Sequence, residues 1–174
     1  VINMSLGGVG ACDSFYQSAV DEIIAAGVTI IASSGNGTGH TVNSPANCVG
    51  VIAVSGLRHI GTKVGFADVG PEVSISAPGG NCVNQGAGQP CLYPILTTSN
   101  SGLTSAVASI YTDHFNASVG TSFSAPLVAG SAALLLSVQP GLTPSEVRTI
   151  LRSTARPFPT TGADPATAAC HAPN

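Results

Sequence analysis

The chain has 174 residues, of which 7% are charged and 44% hydrophobic, and its formal net charge is −3. That length suits one domain with a sizeable core, and the composition is too apolar for a disordered segment and too rich in small residues for a coiled coil. With no basic stripe and few aromatics there is no electrostatic footprint for nucleic acid, so no nucleic-acid partner is expected.

Val1–Leu6 reads as a short strand running into Gly7-Gly8. It opens without an initiator Met or a signal segment, so the chain reads as a piece of a longer protein. Ser14-Phe15-Tyr16-Gln17 matches a capping box. Phe15, Tyr16, Ala19, Val20, Ile23 and Ile24 then recur at helical spacing, and Gly27 ends that helix. Val28–Ala32 is a continuous apolar run, as expected of a parallel strand buried on both faces; Val49–Val54 is a second, and Val73–Ser76 a shorter third. Strand, helix, strand in that order is a βαβ unit, so the sequence predicts an α/β fold with a mostly parallel sheet covered by helices.

Residues 79–90 form an irregular loop, Tyr93–Thr98 reads as a strand, and Ala117–Val119 as a short one leading into Gly120. The nearly apolar run Ala125–Val138, with Ser131 and Ser137 inside it, is shorter than the roughly 20 residues of a membrane span, so no membrane partner is expected. It predicts a helix from Thr121 or Ser122 to Val138, buried on most sides. Pro140-Gly141 breaks that helix, and Thr143-Pro144-Ser145-Glu146 starts another whose buried face is Val147, Ile150 and Leu151. Residues 157–174 read as a loosely ordered tail.

Five cysteines show no CxxC pair and no zinc-ligand spacing. Cys82 with Cys91 closes a short Gly/Asn/Gln loop and is the first pair expected; Cys12 with Cys48 is the second, which leaves Cys170 without a partner. Disulfides favour an oxidising, extracellular setting, and five buried thiols are the alternative.

Three segments carry chemistry. Gly120-Thr121-Ser122-Phe123-Ser124-Ala125-Pro126 puts Ser122 at the first turn of a buried helix, where unpaired N–H groups and the helix dipole favour developing negative charge. Taken alone, a Ser or Thr there is simply an N-cap. Ser33-Ser34-Gly35-Asn36-Gly37 follows the Val28–Ala32 strand, at the strand end where parallel sheets bind ligands, and Asn36 can aim an amide N–H at an oxyanion. Taken alone, Gly-Asn-Gly is a good turn. Ser5-Leu6-Gly7-Gly8 ends the first strand, where an extended peptide can add as a further strand; taken alone it is a plain strand-to-loop junction.

In this order and spacing the three segments resemble the subtilase family from Ile2 to about Arg156, with the Ser122 segment the most specific part. Ser44-Pro45-Ala46 and Ser76-Ala77-Pro78-Gly79 also fall where subtilases carry similar segments. The resemblance implies a subtilisin-like three-layer α/β/α fold, here the partial catalytic domain of a secreted serine endopeptidase. It implies Ser122 as nucleophile, Asn36 and the Ser122 N–H as oxyanion donors, and substrate backbone pairing beside Ser5-Leu6-Gly7. The specificity pocket would be walled by Ser5–Gly8 and Ser33–Gly35, Ser34 included, with Asn43 near its floor. That polar lining predicts tolerance of polar side chains before the cut, with Leu, Gln and Lys cleaved comparably. Subtilases often place Met after the nucleophile; here Phe123 stands there and cannot form a sulfoxide.

The family's Asp and His lie N-terminal to the region that Val1 begins. None of His40, His59, His114 or His171 has the His-Gly-Thr context, and Asp13, Asp21, Asp68, Asp113 and Asp164 lack the expected flanks. The chain alone is therefore expected to turn over peptide poorly, and a missing N-terminal segment is expected to supply both residues. Calcium is common in the family, but no acidic cluster fixes a site here, and no cofactor is assigned. A phosphate loop at Gly35–Gly39 would need a helix to start there, and residues 40–48 carry no helical pattern. An esterase elbow needs Gly two residues after the nucleophile, where Ser124 stands. A non-catalytic subtilase homologue that binds peptide remains the alternative.

Overall fold

The computed structural model describes residues 1–59, 61–80, 95–113 and 118–159. Strands β1 (Ile2–Met4), β2 (Ile30–Ser33), β3 (Ile52–Leu57) and β4 (Val73–Pro78) form one parallel sheet in that order, with Ile2 opposite Ile30 and Ile31 opposite Ile52. The parallel sheet is as the apolar runs predict, but β2 and β3 start later than those runs. In each run a residue ahead of the strand closes a local turn instead: the Val28 N–H donates to Ile23 O and the Val51 N–H to Cys48 O.

Both faces of the central strands are buried, and alternate residues serve opposite layers. Ile30, Ala32, Val51 and Ala53 pack with Val20 of helix α1 (Ser14–Ala25). Ile31, Ile52 and Val54 pack with Ala125, Val128 and Ala132 of helix α2 (Thr121–Val138) and with Val147 of helix α3 (Pro144–Ser153). The result is α1, sheet, then α2 and α3, the three layers expected. A two-stranded antiparallel hairpin of β5 (Thr97–Asn100) and β6 (Ser109–Thr112) lies apart from that sheet.

Several local expectations are corrected. The cap of α1 is Asp13, not Ser14: its carboxylate accepts the Tyr16 N–H at 2.8 Å. An anionic acceptor one residue earlier takes the orphan donors that Ser14 would have capped. Gln17 does not return to the cap; its amide brackets Val49, accepting from its N–H at 2.9 Å and donating to its carbonyl at 3.1 Å. β5 begins four residues later than the Tyr93 start predicted, and β6 was not foreseen. Ser118 and Val119 form no strand; the Ser118 carbonyl accepts the Ile95 N–H and its hydroxyl reaches Thr112 O instead.

The capping box of α3 is present, with Thr143 and Glu146 bonded reciprocally. Cys12 and Cys48 form the second expected disulfide, joining the start of α1 to the turn before β3. Cys82, Cys91, Cys170, His114, His171 and Asp164 lie outside the described residues, as does most of the expected loose tail.

Helix α2 is not buried on most sides. Its sheet-facing side is small and buried, while Leu127, Leu134 and Val138 are 48%, 71% and 79% exposed. These residues recur at helical spacing and form one apolar stripe that the sheet and α3 do not reach. By length and composition alone α2 is apolar enough to cross a membrane, yet its other side carries the core.

Candidate active site

Helix α2 begins abruptly. Gly120, at φ +143°, turns the chain into it and, as the N-cap residue, has no side chain to offer the first turn. The Ser122 N–H therefore lies in the first turn, without an intrahelical carbonyl to bond. Pro126 has no N–H, so it cannot donate to the Ser122 carbonyl one turn back. The Ser5 hydroxyl fills that place, donating to Ser122 O at 2.7 Å. In return the Ser122 hydroxyl donates to the Ser5 carbonyl at 3.2 Å. The end of β1 and the start of α2 are thus locked together at the nucleophile candidate.

Asn36 stands across from this turn, just past the end of β2. Its side-chain carbonyl accepts two hydrogen bonds from Thr121, from the backbone N–H and from the hydroxyl, each at 2.9 Å. With Oδ1 held twice, the amide nitrogen must face away from Thr121, and a Cβ on Gly120 would meet it at 3.3 Å. The Asn36 Nδ2 and the Ser122 N–H nitrogen both lie within 4 Å of the Cβ that Gly120 lacks, and both residues line one cavity. Thr121 is 1% exposed, and its hydroxyl oxygen also accepts the Gly35 N–H at 3.3 Å. The sequence reading passed over it; its place between a turn glycine and the nucleophile candidate was the available signal.

Ser122, Asn36, Leu6, Gly7, Ser33, Gly35 and Asn43, all named from sequence, line one cavity of about 270 Å³ together with Thr121. Ser5 touches Ser122 at its edge. Gly8 lies outside, bridged to Ser44, and Ser34 is buried beneath, its hydroxyl on the Asp68 carbonyl at 3.0 Å. Asp68, set aside from sequence as a catalytic acid, is fully buried behind Gly35 and Asn43. Its carboxylate accepts the His40 backbone N–H at 3.0 Å and the Asn43 side-chain amide at 3.4 Å. A larger cavity of about 820 Å³ lies by β4 and the 152–159 segment and contains none of these groups.

Among the described residues the Ser122 hydroxyl meets the Ser5 carbonyl and no imidazole. Among the same residues no group of three or more His, Cys, Asp or Glu side chains is placed to hold a metal ion, so no step is derived through one.

Residues 1–169 match the Subtilase family. The chain is a subtilase. It is 38% identical over 161 residues to an extracellular protease of Xanthomonas campestris pv. campestris, covering 91% of the chain and 25% of that relative. It is 35% identical over 159 residues to subtilisin DY of Bacillus licheniformis, covering 89% of the chain and 49% of the relative. Among solved structures, a protease from Pseudoalteromonas arctica superimposes with a TM-score of 0.81 at 37% identity, over 92% of this subtilase chain and 45% of that one. A cold-adapted subtilisin-like serine proteinase gives a TM-score of 0.65 at 29% identity, over 88% and 47%. The subtilase chain thus spans a quarter to a half of the length of these relatives.

Proposed function

We propose that this chain is the nucleophile-bearing part of a secreted serine endopeptidase that cleaves polypeptides through an acyl-enzyme. The observation that carries the reading is the Asn36 amide, its oxygen held twice by Thr121 so that its N–H is left free of Thr121, in one cavity with Ser122 at the start of α2. That is a preorganised site for an oxyanion, and preorganised donors are the largest single term in acyl transfer.

The substrate strand pairs beside Ser5-Leu6-Gly7, and its side chain before the cut enters the 270 Å³ cavity. Ser122 Oγ attacks the scissile carbonyl carbon, and its proton passes to a histidine base. The carbonyl electron pair moves onto oxygen, where Asn36 Nδ2–H and Ser122 N–H receive it. Collapse breaks the C–N bond, the leaving amine takes the proton from the base, and water then hydrolyses the acyl-Ser122 ester by the same steps.

The histidine and its aspartate come from a segment outside this chain. Two features support that: the exposed apolar stripe of Leu127, Leu134 and Val138, and the outer edge of β1, unpaired among the described residues. Without the base the chain retains only oxyanion-hole and binding contributions, so residues 1–174 alone are expected to be nearly inactive. Secretion is supported by the Cys12–Cys48 disulfide and by the extracellular naming of the Xanthomonas relative.

The second reading is a non-catalytic peptide-binding domain, favoured by the Ser122 hydroxyl being engaged with Ser5 O. The test is hydrolysis of a peptide library by the protein expressed from its complete reading frame. Turnover abolished by Ser122→Ala supports the endopeptidase. Peptide binding without turnover, from a frame lacking Asp-Ser/Thr-Gly and His-Gly-Thr segments, supports the second reading.

A further inference from the structure

The cavity floor carries a charge that nothing in the catalytic scheme uses. Asp68 is 0% exposed, and its carboxylate lies directly behind Gly35 and Asn43, both of which line the cavity. A Cβ on Gly35 would collide with Asp68 Oδ2 and Asn43 Nδ2, and Gly35 has φ +118°, a conformation open to glycine. Only glycine there lets the carboxylate come this close. The other hydrogen bonds of Asp68 among the described residues come from and go to uncharged groups: its backbone N–H donates to Gly35 O, its carbonyl takes the Ser34 and Ser55 hydroxyls, and Oδ1 takes the His40 backbone N–H. The exposed His40 ring is the titratable group that faces this carboxylate: its Nδ1 and both Asp68 carboxylate oxygens lie within 3.1 Å of the point where a Gly37 Cβ would stand.

Asn43 transmits this charge to the cavity. Its Nδ2 faces Asp68 Oδ2, because a carbonyl there would set two acceptors against each other. The amide oxygen is left without a protein partner among the described residues and is directed away from Asp68. The floor is therefore an acceptor backed by a buried carboxylate, in a site too small for more than one side chain.

We propose that Asp68, acting through Asn43, sets the cleavage preference: the residue before the cut is selected for a cationic or donor end, Lys or Arg first and Gln next, and Glu and Asp are excluded. This replaces the merely polar pocket expected from sequence, which would cleave after Leu, Gln and Lys comparably and accept Glu as readily as Lys, and it rests on the endopeptidase reading above. A unit charge one side-chain layer from a carboxylate, at an effective dielectric of about 20, is worth roughly 10- to 100-fold in rate between Lys and its neutral counterpart, with Glu lower by a similar factor.

The test uses the protein from its complete reading frame and a peptide series varied only at the residue before the cut (Lys, Gln, Leu, Glu), at low and high salt. The expected result is kcat/KM in the order Lys, Gln, Glu, with the Lys-to-Glu ratio falling in Asp68→Asn and, independently, in Asn43→Ser, which leaves Asp68 in place. A merely structural role for Asp68 would lower all four substrates together and leave the ratio unmoved. Lys and Glu cleaved alike by the unaltered protein, or a ratio unchanged in Asn43→Ser, would overturn the charge reading while leaving the endopeptidase intact. No turnover of any substrate would overturn the endopeptidase reading and this one with it.

Discussion

Thr121 is predicted to act on the chemical step by orienting Asn36, and the pair lends itself to a double-mutant cycle. Asn36→Ala removes a donor to the oxyanion; in subtilisin the equivalent loss lowers kcat by about 100- to 1000-fold, a figure that belongs to that enzyme and is carried over here. Thr121→Val removes one of the two bonds that hold Asn36 Oδ1 and, with it, the acceptor of the Gly35 N–H, while the backbone N–H bond at 2.9 Å stays. A neutral hydrogen bond of about 1 to 1.5 kcal/mol corresponds to roughly 5- to 12-fold. Thr121→Val should therefore lower kcat by about that factor with little change in KM, because the amide is needed in the transition state and not in ground-state binding. In the Asn36→Ala background the same substitution should do nothing further to kcat, since the group it orients is gone. The assay is hydrolysis of a chromogenic peptide by the protein from its complete reading frame, normalised by active-site titration. If Thr121→Val costs the same factor in both backgrounds, Thr121 acts independently of Asn36 and the orienting argument is refuted.

Replacing Cys12 and Cys48 by Ser opens a loop of sequence separation 36, which the chain-entropy relation values at about 4 kcal/mol, so the urea midpoint should fall sharply; an unchanged midpoint would show that the bridge constrains nothing. With Phe123 beside the nucleophile, mild peroxide should spare activity, whereas rapid inactivation would place an oxidisable group at the site. The Glu146 carboxyl is held below its ordinary range, first by the Thr143 backbone N–H and then by the Thr143 hydroxyl. A depressed folded-state value means that its contribution is present above the ordinary carboxyl range and is lost as pH falls through the lowered value. Glu146→Gln should accordingly flatten the acid limb of the stability curve slightly, and an identical pH profile in the variant would contradict this.

The layers were legible in the sequence because burial on both faces leaves an unmistakable mark: Val28–Ala32 and Val49–Val54 have no polar face to offer. Their ends were not, since a Val that closes a turn with its N–H looks the same as one that joins a ladder. The cap of α1 was misplaced by one residue because Asp13 and Ser14 are both good caps and only the backbone path chooses between them. The exposed stripe on α2 was illegible for a different reason: hydropathy records what is apolar, not what covers it. Ser122 and Asn36 could be singled out as candidates because each sits at the end of an element that the pattern defines. Thr121 and Asp68 could not, since their roles depend on contacts between residues 85 and 25 positions apart that no local pattern encodes.

The most direct test of the account is covalent labelling with a fluorophosphonate, followed by peptide mapping. In the protein expressed from its complete reading frame the phosphonyl group should appear on Ser122 Oγ and nowhere else, and residues 1–174 alone should label far more slowly for want of the base. Peptide hydrolysis with Ser122 unmodified, or a label carried by another residue, would contradict the assignment of Ser122 as the nucleophile.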